Sequence, residues 1–300
     1  MSSFLTDEAS LSPSLRLELK LPDLVIVHKN DSMAADLANK IEAKYQGSYR
    51  FFQEISDFNG VRPKPPEDFQ PQMVISLGGD GTLLYSSRAW GLDGTPILGV
   101  NLGNLGFLAV VEPIWLNELL ETALAGQAEM EVRQALDISV IRDNARQAFF
   151  TIINDAVINK GALSRIMNLR LSMAGAAFWD FRADGLILAT PTGSTAYNLS
   201  AGGPVVHPSL PVVIVTPICP FTLSSRSLIL PLDLELVVSI DQNATDTHLT
   251  GDGQVYLPLR AGDLVKVSRS QATLRLIANP HRQYFDALRV KLGFFNNDRG

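Results

Sequence analysis

The chain has 300 residues, of which 46% are hydrophobic and 19% are charged, a balance that supports packed cores and excludes a disordered protein. The 31 acidic residues outnumber the 25 basic ones and give a formal charge of -6, so the charge favours a small-molecule partner over a nucleic acid. One cysteine and four histidines, without a Cys/His cluster, offer no intrachain disulfide and no zinc site and are typical of a cytoplasmic protein.

Strands and helices alternate in the first part of the chain. The β-branched run at residues 24–27 predicts a strand. Asp31 is a cap candidate for the helix that follows. Apolar residues recur there at helical spacing, at Met33, Leu37 and Ile41, and predict a helix that ends at Gly47.

Two further strands are predicted at residues 73–77 and 97–100, on either side of a helix-compatible segment at residues 83–90. The order strand, helix, strand predicts a parallel sheet. A proline and a glycine bracket the next predicted helix, at residues 114–125.

From residue 129 onwards short alternating or apolar runs predict an all-β region. These runs cover residues 136–142, 149–158, 167–173, 185–189, 212–216, 234–240, 255–257, 264–268 and 273–277. A helical pattern returns at residues 284–292. Prolines break the most apolar run, at residues 211–223, so no membrane span is predicted. The first 20 residues lack the features of a secretory signal, and we expect them to form a loose tail.

The first segment with chemical character follows the strand at residues 73–77 and consists of Gly78, Gly79, Asp80, Gly81 and Thr82. Glycines let backbone N–H groups approach an anion without interference from a Cβ atom, as a phosphate-binding loop requires. A carboxylate beside phosphates is unfavourable unless it holds a metal ion or accepts a proton, so Asp80 indicates phosphoryl transfer to a hydroxyl. The alternative is an ordinary Asp-Gly hairpin turn, but residues 83–90 do not alternate as a return strand would.

Other segments carry polar or glycine-rich patterns, and each alone is explained equally well by a loop or turn. They are residues 101–107, the pairs Asn154-Asp155 and Asp184-Gly185, and the hydroxyl-rich stretch at residues 190–203. Such hydroxyls can bind phosphate and ribose without added positive charge. A Walker-type loop, a dinucleotide fingerprint and the protein-kinase motif set are all absent from the sequence.

Taken in order, these segments resemble the NAD kinases, the ATP-dependent family that phosphorylates the adenosine 2′-hydroxyl of NAD to give NADP. The resemblance extends from residue 78 to residue 293. It is carried by GGDGT (78–82), NLGNLGF (101–107), ND (154–155), RADGLILATPTGSTAYNLSAGGP (182–204), PFTLSSRSLILP (220–231) and GDGQ (251–254). Each motif alone is modest, but their order and spacing together are highly specific.

The resemblance implies a doubly wound α/β nucleotide-binding domain at residues 21–128 and a β-rich, sandwich-like NAD-binding domain at residues 129–278. The C-terminal segment, residues 279–300, would return to the first domain, and the active site would lie in the cleft between the two domains. Asp80 would be the catalytic proton acceptor. The phosphate-donor loop would consist of Gly78, Gly79, Gly81 and Thr82.

The resemblance also implies which residues bind NAD. Asn154 and Asp155 would bind the adenosine, with Asp155 standing where glutamate is commoner, and Phe107 would line the adenine pocket. Tyr197 would lie against the base. The full set consists of Asp80, Gly81, Phe107, Asn154, Asp155, Arg165, Arg182, Asp184, Thr195, Ala196, Tyr197, Asn198, Leu199, Ser200 and Gln254.

The implied substrates are NAD and ATP. We expect Mg²⁺ to arrive mainly through the nucleotide phosphates, because no carboxylate cluster forms a dedicated cage. Family resemblance implies a homodimer or homotetramer. The sequence leaves open whether NADH is also accepted and whether polyphosphate can replace ATP.

Two alternative functions belong to other classes. Lipid kinases of the diacylglycerol and sphingosine type share the GGDGT loop, but the second half of this chain favours the NAD kinases. A non-catalytic dinucleotide-binding regulator would not need Asp80.

Overall fold

A computed structural model describes residues 21–56, 64–104, 106–161, 165–222, 224–241, 245–282 and 284–293. The predicted tail at residues 1–20 therefore lies outside the described residues. The strands of the first part are β1 (Asp23–His28), β2 (Arg50–Ile55), β3 (Pro71–Gly78) and β4 (Ile97–Asn101). Its helices are α1 (Ser32–Tyr45), α2 (Asp80–Ser86) and α3 (Leu116–Leu124). The four strands pair in parallel in the order β2-β1-β3-β4.

Helices cover both faces of this parallel sheet. Leu24 and Ile26 of β1 pack in a cluster that contains Ile41 of α1 and residues of α3. Val25, on the opposite face of the same strand, packs in a second cluster with Leu83 of α2. Because both faces are covered, β1 and β4 are buried along their whole length. The prediction of a doubly wound α/β unit is confirmed.

Helix α1 begins where its cap residue predicts. The Asp31 side chain accepts the N–H of Ala34 at 2.8 Å and so satisfies a free donor of the first turn. The predicted helix is confirmed, and its apolar positions differ in burial, since Ile41 is buried whereas Met33 is 53% exposed. Ala34 is buried instead, since a small side chain lets the helix approach the sheet closely.

The remaining part of the chain forms twelve strands and two helices among the described residues. The strands are β5 (Met130–Arg142), β6 (Ala145–Ile152), β7 (Asp155–Lys160), β8 (Met167–Met173), β9 (Ala176–Ala183), β10 (Gly185–Ala189), β11 (Val212–Ile218), β12 (Leu228–Pro231), β13 (Leu236–Ile240), β14 (Thr247–Gly251), β15 (Val255–Leu259) and β16 (Leu264–Ile277). The helices are α4 (Tyr197–Ser200) and α5 (Tyr284–Leu292).

These strands build two sheets that pack face to face. One has the order β12-β11-β10-β7-β14-β15. The other is continuous with the parallel sheet and runs β2-β1-β3-β4-β16-β13-β8-β9, with β5 and β6 attached through β16. The junction is the parallel pairing of Leu276 in β16 with Ile97 in β4. Apolar side chains of the two sheets, such as Ile138 on one and Leu188 on the other, share one core, which confirms the β-rich, sandwich-like part.

Several predicted strands differ from the observed ones. The run at residues 149–158 is two strands, β6 and β7, because the chain passes there from one sheet to the other. The runs at residues 264–268 and 273–277 are one strand, β16, whose pairing with β5 is irregular between Arg269 and Thr273. The prediction missed β2, β9, β12 and β14, which are short or only partly buried and so lack a continuous apolar pattern.

The segment after β16 contacts the first part of the chain. Asn279 donates its side-chain N–H to the carbonyl oxygen of Val110 at 2.9 Å, and the His281 ring stacks on Trp115 with centroids 3.7 Å apart. Helix α5 has the predicted bounds. No helix in the part of the chain that the structure describes is long and apolar enough to cross a membrane.

Candidate active site

The glycine-rich turn lies at the carboxyl end of β3, where a parallel sheet presents its ligand-binding loops. Helix α2 begins directly at Asp80, so the hairpin alternative is wrong. A Cβ atom on Gly78 would lie 2.2 Å from Oγ1 of Thr82, which is why no side chain fits there. The N–H of Leu102 donates to the carbonyl oxygen of Gly78 at 2.8 Å and joins this turn to the loop after β4.

The loop after β4 is folded around the Asp80 carboxylate. Oδ2 of Asp80 accepts the N–H of Phe107 at 2.8 Å, and Oδ1 accepts the N–H groups of Leu108 and Ala109 at 3.0 and 2.9 Å. A Cβ atom on Gly106 would lie only 1.9 Å from Oδ1. These contacts use both acceptor positions of Oδ1 and one of Oδ2, so Oδ2 can accept one more donor.

The pair Asn154-Asp155 lies where β6 ends and β7 begins, and its backbone is bound by a carboxylate from the turn after β14. Asp252 accepts the N–H groups of Ile153, Asn154 and Asp155 at 2.7 to 3.2 Å. Its own N–H donates to the carbonyl oxygen of Asp155 at 2.8 Å. Sequence reasoning missed Asp252, although the GDGQ segment contains it.

Two carboxyl groups share this buried place. Burial raises the pKa of Asp155 to about 7, and the negative charge of Asp252 acts in the same direction. The backbone N–H of Tyr197, which hydrogen-bonds Asp155, opposes the shift. Burial also raises the pKa of Asp252, against its three N–H donors and the positive charge of Arg88.

The hydroxyl-rich stretch folds into a 3-10 turn at Thr192–Thr195 followed by α4, rather than into an open loop. It is pressed against the Asn154 backbone. The N–H of Thr190 donates to the carbonyl oxygen of Asn154 at 2.9 Å. A Cβ atom on Gly193 would lie 2.1 Å from the same oxygen, so glycine is required for this approach.

Asn198 holds the stretch in shape from inside. It is fully buried, and its Nδ2 donates to the carbonyl oxygens of Ser194 and Pro204, both at 3.0 Å. Its Oδ1 accepts the Thr216 hydroxyl at 2.7 Å. These bonds use both N–H donors of its amide, and its part in NAD binding remains a prediction from the family resemblance.

A cavity of about 270 Å³ opens beside the Asn154-Asp155 pair, between β7, the start of α4 and the turn after β14. Its lining includes Asn154, Asp155, Ala196, Tyr197 and Asp252. Oδ1 of Asn154 is buried without a hydrogen-bond partner, and the Tyr197 ring is 44% exposed. An unpaired acceptor beside an exposed aromatic face suits a ligand that carries both hydroxyls and a flat ring.

Gln254 contacts the first part of the chain through a residue that sequence reasoning missed. Arg88 donates from Nη1 to Oε1 of Gln254 at 2.9 Å. Arg88 lies in a π-helical turn at Ser87–Gly91, which Trp90 holds by donating to the buried Glu54 at 2.7 Å. The residue has no motif around it, so only the tertiary structure reveals its position.

Arg182 and Asp184 lie apart from Asp155 in this chain. They precede β10, whose register sets Gly185 opposite Asn159 and Ala189 opposite Asp155, so the strand separates them from Asp155. The Arg182 guanidinium lies 4.9 Å from the centroid of the Phe221 ring and lines a different, wider hollow of about 560 Å³.

The remaining predicted residues do not line the cavity beside Asn154. Phe107 is half-buried, with the Lys291 ammonium of α5 4.9 Å from its ring centroid. Thr195 and Leu199 are half-buried in the short turns, whereas Ser200 and Arg165 are exposed. Among the described residues, no group of three or more His, Cys, Asp or Glu side chains could hold a metal ion.

Comparisons with known proteins agree with this architecture. The family model described as the ATP-NAD kinase N-terminal domain matches residues 20–128, and that of the ATP-NAD kinase C-terminal domain matches residues 153–279. An NAD kinase of Syntrophotalea carbinolica is 45% identical over 242 residues, which cover 81% of this chain and 85% of the relative.

Solved structures show the same fold. Yeast NADH kinase complexed with NADH superimposes with a TM-score of 0.81 at 25% identity, covering 94% of this chain and 90% of that one. An NAD kinase from Archaeoglobus fulgidus in complex with ATP gives 0.68 at 24% identity, covering 90% and 97%. With two family models over most of its length and a relative at 45% identity, the chain belongs to the NAD kinase family.

Proposed function

We propose that the protein transfers the γ-phosphoryl group of ATP to the adenosine 2′-hydroxyl of NAD, giving NADP and ADP. The observation that carries this proposal is the Asp80 carboxylate, which three backbone N–H groups hold beside the glycine-rich turn. A fixed carboxylate with one acceptor position left is suited to take a proton from a hydroxyl. Membership of the NAD kinase family supports the same reaction.

In the proposed step, Oδ2 of Asp80 accepts the proton of the 2′-hydroxyl while the hydroxyl oxygen forms a bond to the γ-phosphorus. The bond from the γ-phosphorus to the bridging oxygen breaks, and ADP leaves with that electron pair. Gly78, Gly79 and Gly81 leave the backbone open to the phosphates, with Thr82 next to them. Such positioning, rather than covalent chemistry by the protein, carries most of phosphoryl transfer.

For the dinucleotide, we propose that Asn154 and Asp155 bind the adenosine ribose and that Tyr197 lies against the adenine. The unpaired Oδ1 of Asn154 supports the first assignment, and the exposed Tyr197 ring beside the same cavity supports the second. Phe107 would line the adenine pocket. The parts of Arg165, Arg182, Asp184, Thr195, Ala196, Leu199, Ser200 and Gln254 remain predictions from the family resemblance.

Mg²⁺ is part of the proposal. This ion commonly keeps several waters and binds through one or two carboxylates together with substrate phosphates, so it needs no cage of protein ligands. We propose that the phosphates of the bound nucleotide supply most of its ligands. When bound, the ion would offset phosphate charge, while Asp80 remains the group that accepts the proton.

We also propose a homodimer or homotetramer in the cytoplasm. Large apolar side chains stay exposed on the β-rich part of the chain, among them Phe178, Phe221, Ile229 and Tyr256. Exposed apolar groups of this kind favour a contact with a second copy. A monomeric mass by light scattering at micromolar concentration would contradict this assignment.

The decisive assay incubates the purified protein with ATP, Mg²⁺ and NAD and measures NADP with an NADP-specific dehydrogenase. A parallel reaction offers diacylglycerol in place of NAD. We expect NADP and no lipid phosphorylation. Phosphorylated lipid without NADP would reverse the assignment in favour of the lipid-kinase alternative. Binding of NAD without turnover would favour the regulator.

A further inference from the structure

Asp252 makes an unusual set of contacts for a residue outside the predicted site. Its Oδ1 lies 3.2, 2.7 and 3.2 Å from the backbone nitrogens of Ile153, Asn154 and Asp155. Its Oδ2 lies 3.0 Å from the nitrogen of Ile153 only. Oδ1 therefore binds the N–H groups of Asn154 and Asp155, and the two oxygens share the N–H of Ile153, with the shorter contact to Oδ2.

Those N–H groups belong to the segment where the chain leaves β6 and enters β7 in the other sheet. Buried backbone donors need a partner, and a chain that changes sheets lacks a regular ladder to supply one. The Asp252 side chain is itself buried, with 7% of the residue exposed. A buried charged acceptor makes stronger hydrogen bonds than a neutral one, so the segment is held firmly.

The direction of two ligand-facing side chains depends on this segment. Asn154 carries the buried, unpaired Oδ1, and the Asp155 carboxylate receives the backbone N–H of Tyr197. A change in the backbone of the segment would turn both side chains and shift the Tyr197 turn with them. Misplacement by about 1 Å is enough to lose up to about a hundredfold in an enzyme's efficiency.

We propose that Asp252 is the positioning residue of the dinucleotide site, which aims Asn154 and Asp155 by fixing their backbone through Oδ1 and does not itself touch the reacting atoms. The inference rests on the proposed function of the site. The ribose-binding role of Asn154 is tested by a variant of its own.

Geometry and charge can be separated at this position. In Asp252→Asn, an amide oxygen in place of Oδ1 keeps the contacts to the N–H groups of Asn154 and Asp155, whereas the amide NH2 in place of Oδ2 faces the N–H of Ile153. The lost charge removes one negative neighbour of Asp155. The other groups that face Asp155 and Asp252 are the Tyr197 N–H and the positive charge of Arg88. In Asp252→Glu the charge stays, but an added methylene displaces the acceptor atom.

The experiment measures kcat, KM for NAD and KM for ATP, and the affinity for NAD by calorimetry. The matched control is Asp263→Glu, which adds the same methylene to a buried aspartate past the opposite end of β15. Asp263 likewise accepts a backbone N–H, that of Arg260 at 2.8 Å, besides the Arg142 guanidinium. Asn154→Ala tests the proposed site itself.

We expect Asp252→Glu to weaken NAD binding by about tenfold to a hundredfold, with smaller changes in kcat and in KM for ATP. Asp252→Asn, which keeps the acceptor for Asn154 and Asp155, should weaken NAD binding less than Asp252→Glu does, and should move the midpoint of the pH dependence of NAD affinity to lower pH. Asp263→Glu should leave NAD affinity unchanged.

The proposal is overturned if Asp252→Glu binds NAD normally, or if Asp263→Glu weakens binding as much. It is also overturned if Asp252→Asn, which keeps its acceptor in place for Asn154 and Asp155, loses as much affinity as Asp252→Glu. Should Asp252→Glu fail to fold, Asp252→Ala, which removes the acceptor without added bulk, takes its place in both comparisons. Normal NAD binding by Asn154→Ala would instead refute the proposed ribose site.

Discussion

Replacing Gly106 with alanine tests the Asp80 site without altering any of its chemical groups. The new Cβ atom would lie 1.9 Å from Oδ1 of Asp80, whereas real Cβ contacts are essentially never under 3.0 Å. The difference between 3.0 and 1.9 Å requires a displacement of at least 1.1 Å. Both the Asp80 carboxylate and the loop that donates to it sit at this contact, so the proton acceptor and its donors must move relative to each other. A displacement of about 1 Å costs up to about a hundredfold in rate.

The assay is steady-state NADP formation with saturating ATP and NAD. We expect Gly106→Ala to lower kcat by about tenfold to a hundredfold and to change KM for NAD much less. The control is Gly103→Ala in the same loop, where the nearest atom to an added Cβ is 3.9 Å away and kcat should stay near wild type. A Gly106→Ala enzyme of normal kcat would refute the reasoning, and so would an equal loss in Gly103→Ala.

Three further outcomes are expected. Asp80→Asn should lower kcat by roughly a hundredfold or more while NAD still binds by calorimetry, and a near-normal kcat would exclude the proton-acceptor role. Tyr197→Ala should raise KM for NAD more than it lowers kcat; an unchanged KM would show that the turn at Thr192–Thr195 and α4 do not contact the nucleotide. Burial raises the pKa of Asp155 from 3.8 in the unfolded chain to about 7 in the folded protein. The stability that the protonated carboxyl gives is therefore complete below pH 3.8 and is lost as the pH rises through 7. Because asparagine does not titrate, Asp155→Asn should reduce the fall in Tm between pH 4 and 8, by about 2–4 °C for every kcal/mol of unfolding free energy that the wild type loses over this range. The same fall in Tm in the wild type and in the variant would contradict the raised pKa of Asp155.

Much of the first part of the fold was predictable because its signals are local. The buried strands β1, β3 and β4 are short β-branched or apolar runs, and Asp31 caps α1 through its own first turn. Asp80 could be singled out because a carboxylate among glycines after a buried strand is itself an unusual pattern. The loop at residues 101–107 alone gave only weak sequence evidence for a site. The backbone from Phe107 onwards binds the Asp80 carboxylate, which is distant in sequence, so no local pattern reveals its role.

The residues that sequence reasoning missed act across long separations. Asp252 binds backbone groups about a hundred residues earlier, and Arg88 reaches Gln254 from the other part of the chain. Neither contact leaves a periodic or compositional trace. The strands β9 and β14 were missed for a related reason, because their alternating polar residues face solvent or another strand and dilute the apolar pattern.

The pairing of β16 with β4 joins the parallel strands of the first part to strands of the β-rich part. The two parts share a single ten-stranded sheet, whose junction is the pairing of Leu276 in β16 with Ile97 in β4. Leu274 and Leu276 also pack in the cluster that contains Val25 and Leu83, so β16 completes a core of the first part. We therefore expect a protein cut near residue 128 to expose this apolar cluster and to aggregate rather than to fold as an independent module.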